Sequence, residues 1–137
     1  NPGGGTTDYA VEIFFGALQN KSYESFLSEN TTLPMMYMDD AIKATIDLME
    51  APKENISIRY GYNLAAMSFT PADIANEIKK HIPTFNITYK PDFRQQIAAS
   101  WSESIDDSMA QKDWNWKPNF DLASMTVDML HHLKNTI

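Results

Sequence analysis

No cysteine occurs in the 137 residues. A disulfide framework, a thiolate metal site and a thiol nucleophile are therefore excluded, and the composition accords with a reducing compartment. Basic residues are scarce: 11 stand against 18 acidic ones, for a net charge of −7 and a pI near 4.8. Nonspecific binding to nucleic acid or to an anionic membrane needs basic patches, so neither is an expected partner. Histidine is limited to His81, His131 and His132. Neighbouring helical residues point apart, and no His-Glu-x-x-His spacing occurs, so no metal is expected. There is no Gly-x-Ser-x-Gly elbow and no Gly-x-Gly-x-x-Gly after a strand. No tyrosine is followed four residues later by lysine. No run approaches the ~18 apolar residues of a membrane span. The start lacks the basic and apolar regions of a signal peptide, so export is not expected. The sequons at Asn20, Asn30, Asn55 and Asn86 are then read as coincidence.

What is present is an ordinary globular composition, 43% apolar and 12% aromatic, of a length that suits one domain, residues 1–137. Three of its five glycines stand together in Pro2-Gly3-Gly4-Gly5-Thr6-Thr7-Asp8. Apolar residues at Ala10, Ile13, Phe14, Ala17 and Leu18 follow at helical spacing. Glycine permits positive φ and close approach, and Thr6, Thr7 and Asp8 are helix-capping types. One reading is a tight turn with a capped helix. The other is an anion site, since a helix start presents free N–H groups and the positive end of a dipole. The chain opens inside this loop, without an initiator methionine, and is expected to be a fragment of a longer protein.

Along the chain, Gln19–Thr32 reads as irregular, with Tyr23, Phe26 and Leu27 as packing anchors. Leu33–Met38 is an apolar run of strand length, and Pro34 restricts it to a strand start or an edge. Asp39 and Asp40 open a helix with Ala41, Ile42, Thr45, Ile46, Leu48 and Met49 on its apolar face, ending before Pro52. These two carboxylates are accounted for as cap and first-turn charges. Ile56–Leu64 reads as a strand interrupted near Gly61. Thr70, Pro71 and Asp73 form a capping box with proline at the first helical position, and Phe69 and Ile74 a hydrophobic staple. Phe85–Tyr89 alternates as a half-buried strand. Arg94 follows in a charged connection, free to hold an anion or to lie solvated. Trp101 is either a core plug or a pocket wall. A short helix opened by Asp106 and Asp107 runs to Trp114, and Trp114 and Trp116 are expected to pack the last helix, capped by Asp121, onto the body. Helices alternating with short strands imply an α/β arrangement. Three such strands make a thin sheet, so some are expected to join strands outside this sequence.

Five stretches resemble the NAD-dependent L-threonine 3-dehydrogenases of the extended short-chain, epimerase-like type. They are Pro2–Val11, Leu33–Ile42, Tyr62–Pro71, Arg94–Trp101 and Ile105–Lys117, which together span the chain. The first and third are specific to those enzymes. The Asp39-Asp40 helix start, Tyr62-Asn63-Leu64 and Asp113-Trp114-Asn115-Trp116 are shared with sugar-nucleotide epimerases and dehydratases. Asn115 departs from the pattern, in which glycine is usual, and only a turn adjustment is expected there.

The resemblance implies an α/β C-terminal substrate-binding lobe whose Rossmann part, NAD motif and catalytic Tyr and Lys all lie upstream of Asn1. No catalytic residue falls in this chain, which by itself is expected to be inactive. Gly5, Thr6, Thr7 and Asp8 match the loop lining the threonine site, and Trp101 matches a pocket residue. The implied reaction oxidises L-threonine with NAD to 2-amino-3-oxobutanoate. A homodimer when full length and a cytoplasmic or mitochondrial setting go with it. The alternatives are the C-terminal part of a sugar-nucleotide epimerase or dehydratase with Arg94 on phosphate, and a truncated, non-catalytic interaction fragment.

Overall fold

The computed structural model describes residues 4–135; Pro2 and Gly3 of the glycine stretch lie outside the described residues. Helix α1 (Tyr9–Gln19) buries Tyr9, Ile13, Phe14 and Ala17, the face that its spacing sets out. The chain reverses at Lys21, whose φ is 54°, and lies back on α1 as strand β1 (Ser22–Ser25). This approach is close at Gly16, where an added Cβ would sit 2.6 Å from the Ser22 carbonyl oxygen. A strand therefore forms inside a stretch expected to be irregular. Its own sequence has one aromatic among polar residues, and its ladder comes from β4 (Asn86–Tyr89), parallel, with Ser22 opposite Asn86.

The second sheet pairs β2 (Leu33–Met35) with β3 (Met67–Phe69), antiparallel, Leu33 opposite Phe69. The β2 strand stops short of Met38 because helix α2 (Met38–Glu50) starts there. The strand expected over Ile56–Leu64 does not form. A 3₁₀ turn (Lys53–Asn55) leads into an extended segment whose first N–H groups go to side chains. The Ser57 N–H donates to Asp113 and to the Tyr62 hydroxyl, and the Ile58 N–H to that same hydroxyl. Among the described residues the strands thus make two separate two-stranded sheets, β1-β4 and β2-β3.

Helix α3 (Pro71–His81) begins as its capping box dictates: the Asp73 N–H donates to Thr70 Oγ1 and the Thr70 N–H to Asp73 Oδ2. Phe69 and Ile74 are both buried, as a staple requires. After β4 come α4 (Arg94–Ala99), α5 (Ser108–Trp114) and α6 (Leu122–Lys134), the last capped by Asp121. Helices α1, α3 and α6 pack on one another. Their core joins Ile13, Phe14, Leu27, Leu33, Ile74 and Ile78, each fully buried side chain contributing about 1.5–3 kcal/mol.

A second cluster is built on Ala44, Ala110, Trp114 and Trp116, with Leu48, Ile56, Tyr62 and Leu64 against it. The tryptophans thus pack α5 onto α2 and the extended segment, not α6 onto the body. Buried Asp40 links the two regions. Its carboxylate accepts from the Asn119 and Phe120 N–H groups ahead of α6, so it serves a tertiary tie where a local cap was expected.

Candidate functional site

The loop before α1 is folded on its own acid. Gly4 has φ +84°, a conformation that side chains rarely adopt. The Gly5 N–H donates to Asp8 Oδ2 at 2.8 Å, and the Asp8 N–H to the Gly5 carbonyl at 3.2 Å. Asp8 has helical dihedrals and makes no side-chain cap of the usual kind. It reaches back to Gly5 as the acid of a capping box does. Thr6 and Thr7 are half-buried. Among the described residues, neither their N–H groups nor their hydroxyls make a hydrogen bond. Toward the described residues the loop thus leaves four donors unspent at the positive end of α1.

Tyr9 anchors this loop from below. It is fully buried, meets Phe26 edge-on at 6.4 Å, and its hydroxyl has no partner. Burial, with the Asp73 charge second, pushes the hydroxyl's pKa well above the usual phenol range. On Phe26 lies the Arg94 guanidinium, 3.3 Å from the ring centroid. Arg94 is also bound to Asp92, with Nη2 at 2.6 Å and Nε at 3.1 Å from Oδ2. Hydrogen bonding to Arg94 holds the Asp92 carboxyl below the usual range. The anion that Arg94 holds is thus an internal one.

Trp101, 46% exposed, is a wall and not a core plug. It borders a polar groove with Asn30, Thr31, Thr32, Gln95 and Glu103. Gln95 fixes the opposite side, its Oε1 accepting from the Ser28 N–H at 2.7 Å and the Thr31 hydroxyl at 3.0 Å. Gly5–Asp8 do not line this groove. Sequence reasoning missed Gln95 and Thr31 as its shapers. The signal available was the Arg94–Trp101 stretch, where Gln95 sits on a short helix six residues before the tryptophan.

A dinucleotide does not fit the described residues. The one parallel pair is β1–β4, and β1 runs into a loop with no glycine and no helix behind it. Among the described residues no group of three or more His, Asp or Glu is placed to hold a metal. No described helix is long and apolar enough to cross a membrane.

No family profile matches the chain. Among curated proteins, it is 55% identical over 131 residues to a mitochondrial L-threonine 3-dehydrogenase of Sus scrofa, covering 95% of this chain and 35% of that protein. It is 53% identical over 130 residues to an uncharacterised epimerase/dehydratase of Staphylococcus haemolyticus, covering 94% of this chain and 41% of that one. The crystal structure of an L-threonine dehydrogenase from Phytophthora infestans superposes with a TM-score of 0.97 at 55% identity. That match takes in all of this chain and 44% of the other, in its C-terminal portion. The chain thus spans about a third to under a half of the length of the relatives it matches.

Proposed function

From a chain that corresponds in sequence and fold to the C-terminal portion of the epimerase-like L-threonine dehydrogenases, we propose the substrate-binding lobe, residues 1–137, of an NAD-dependent L-threonine 3-dehydrogenase. The reaction is L-threonine plus NAD to 2-amino-3-oxobutanoate plus NADH. NAD supplies the hydride acceptor and is held by the upstream portion, because the described residues do not fit it. This chain's part is then to bind, orient and desolvate the amino acid.

The observation that carries the reading is the donor set of Thr6 and Thr7, unspent among the described residues beside an acid held by the Gly5 N–H. A carboxylate seated there gains charge-assisted hydrogen bonds and a favourable dipole. In this reading Asp8, half-buried next to the same donors, takes the ammonium on the carboxylate oxygen that Gly5 does not use. In this reading Trp101, which borders a groove that the loop does not line, supplies an apolar wall toward the reacting carbon. Gly5, Thr6, Thr7, Asp8 and Trp101 are the substrate-binding residues of this reading. A homodimer and a cytoplasmic or mitochondrial setting complete it; the Sus scrofa relative carries "mitochondrial" in its name.

The test is threonine-dependent NAD reduction by the protein joined to its nucleotide-binding portion. Thr7→Ala is expected to lower kcat/KM for threonine by about tenfold or more, the loss of a hydrogen bond to a charged group, with the circular dichroism spectrum unchanged. Unchanged kinetics would remove the loop assignment. The sugar-nucleotide reading asks Arg94 to hold a phosphate, against its engagement with Asp92 and Phe26. Displacement of threonine by a uridine diphosphate sugar would restore it.

A further inference from the structure

Trp101 begins a run of exposed residues, 101–106. Among the described residues, 102–105 make no hydrogen bond and no ion pair, so nothing on its C-terminal side holds the tryptophan. Its placement comes from α4. The Trp101 N–H donates to the Ala98 carbonyl at 3.1 Å, and the Ser100 hydroxyl to the Ile97 carbonyl at 2.7 Å. Trp101 is thus a backbone continuation of that helix and goes where the helix goes.

Helix α4 has little of its own to hold it. It is 6 residues long and buries only Ala98, and a helix so short is not stable by itself in water. Its start is fastened at Phe26, by the Asp92 N–H on the Phe26 carbonyl at 3.2 Å and by the Arg94 guanidinium on the ring. Its body is fastened by one polar side chain. Gln95 Oε1 accepts from the Ser28 N–H at 2.7 Å and from the Thr31 hydroxyl at 3.0 Å. A backbone N–H can only donate, so the amide atom that faces Ser28 is the oxygen. One acceptor therefore ties the helix that carries Trp101 to the loop that carries Asn30, Thr31 and Thr32, and these are the two sides of the groove.

We propose that Gln95 is a positioning residue for the threonine site: through α4 it sets where Trp101 stands, and with it the width of the groove. The proposal rests on the reading above, in which Trp101 is a wall of the substrate site. Gln95 acts through the tryptophan and touches no reacting atom. Two hydrogen bonds to one part-buried oxygen can govern α4 because the helix has so little apolar burial to set against them. A misplacement of about 1 Å in a reacting site costs about a hundredfold in rate. The demand on the side chain is narrow, an acceptor at that reach. Glutamate meets it, and leucine, of similar bulk, does not.

The experiment uses the protein joined to its nucleotide-binding portion, with fluorotryptophan incorporated. The fluorine resonance of Trp101 is the one lost in Trp101→Phe. Gln95→Leu is expected to shift or split that resonance, and Gln95→Glu to leave it in place. An unmoved resonance in Gln95→Leu overturns the proposal. A resonance moved equally by both variants also overturns it, because packing and not the acceptor then sets the position. Should Gln95→Leu fail to fold, Thr31→Val, which removes one of the two bonds, is read in the same way. Threonine turnover is the second readout. Gln95→Leu is expected to lower kcat/KM about tenfold, and Gln95→Glu to keep it within about threefold. Added to Trp101→Ala, Gln95→Leu is expected to cost nothing further. Losses that add overturn the proposal, since Gln95 then acts without Trp101. If Trp101→Ala leaves turnover unchanged while the resonance still moves in Gln95→Leu alone, the positioning of the tryptophan holds and its place in the substrate reading falls.

Discussion

Asn115 ends α5 with φ 56° and ψ 39°, the left-handed conformation. Asparagine tolerates that region better than other side chains, and glycine best of all. The turn adjustment expected from its departure from the family's glycine is therefore not needed: the backbone is the one that glycine would take. Asn115→Gly is expected to stabilise the protein by about 0.5 kcal/mol, the relief of strain being partly offset by a freer unfolded chain. Asn115→Val is expected to destabilise it by about 1–2 kcal/mol. Midpoints of urea unfolding, with unchanged slopes, check both. Residues whose roles are local were legible in this way. Asp40 was not, because the two N–H groups it holds lie about eighty positions away at Asn119 and Phe120.

Among the elements, α1 and β1 meet at Gly16. In an exposed helix, Gly→Ala would add about 1 kcal/mol of stability through propensity. Here the new methyl would stand 2.6 Å from a backbone oxygen and 3.2 Å from the Tyr23 Cβ, and overpacking of this kind costs about 1–3 kcal/mol. The clash wins, so Gly16→Ala is expected to destabilise the fold by about 1 kcal/mol or more and to speed amide exchange in Ser22–Ser25. An unchanged denaturation midpoint would show that β1 can shift away freely. Helix starts were readable because a cap is a matter of four consecutive residues, as at Thr70–Asp73 and Asp121–Ser124. Strands were readable only in part, at Leu33–Met35 and Asn86–Tyr89, because pairing is a matter of partners. Polar Ser22–Ser25 became a strand by lying beside Asn86–Tyr89, while Ile56–Leu64, with the better pattern, has none beside it among the described residues.

At the scale of the whole molecule, four of the described carboxyls contribute to its acid sensitivity. Donation from Ser57 and Tyr62 holds Asp113 below the usual carboxylate range; Arg94 does so for Asp92, the Ser108 backbone for Asp106, and Ser124 for Asp121. Each is depressed in the folded state, so the unfolded chain takes up protons first as pH falls. The stabilisation is fully present above the ordinary aspartate range, about pH 4, and is lost below it. The thermal midpoint is expected to be level between neutrality and about pH 5 and to fall steeply under pH 4. Asp113→Asn is expected to lower the plateau and shallow that fall. An identical acid limb in the variant would remove Asp113 from the set.

The division into two core clusters was the least legible feature of the chain. Trp114 and Trp116 look like any aromatic pair in a turn, and only the surroundings of α2 show which core they serve. The candidate site was legible in part. Its loop was marked by the density of glycine and threonine, and its groove by one tryptophan, whereas the Gln95 bridge depends on a loop sixty-four positions earlier.

The parallel pairing of Ser22 with Asn86 has a consequence in time. The two residues are 64 positions apart. A ribosome adding roughly 5–20 residues per second delivers the second strand about 3–13 s after the first. For that interval α1 has emerged with only β1 against it, ahead of α3 and α6, which pack on it. Closing so long a loop is what limits the rate at which non-local topologies form. Of the described elements α1 is the first to be made, and its apolar face is not fully covered until α6 (Leu122–Lys134) arrives.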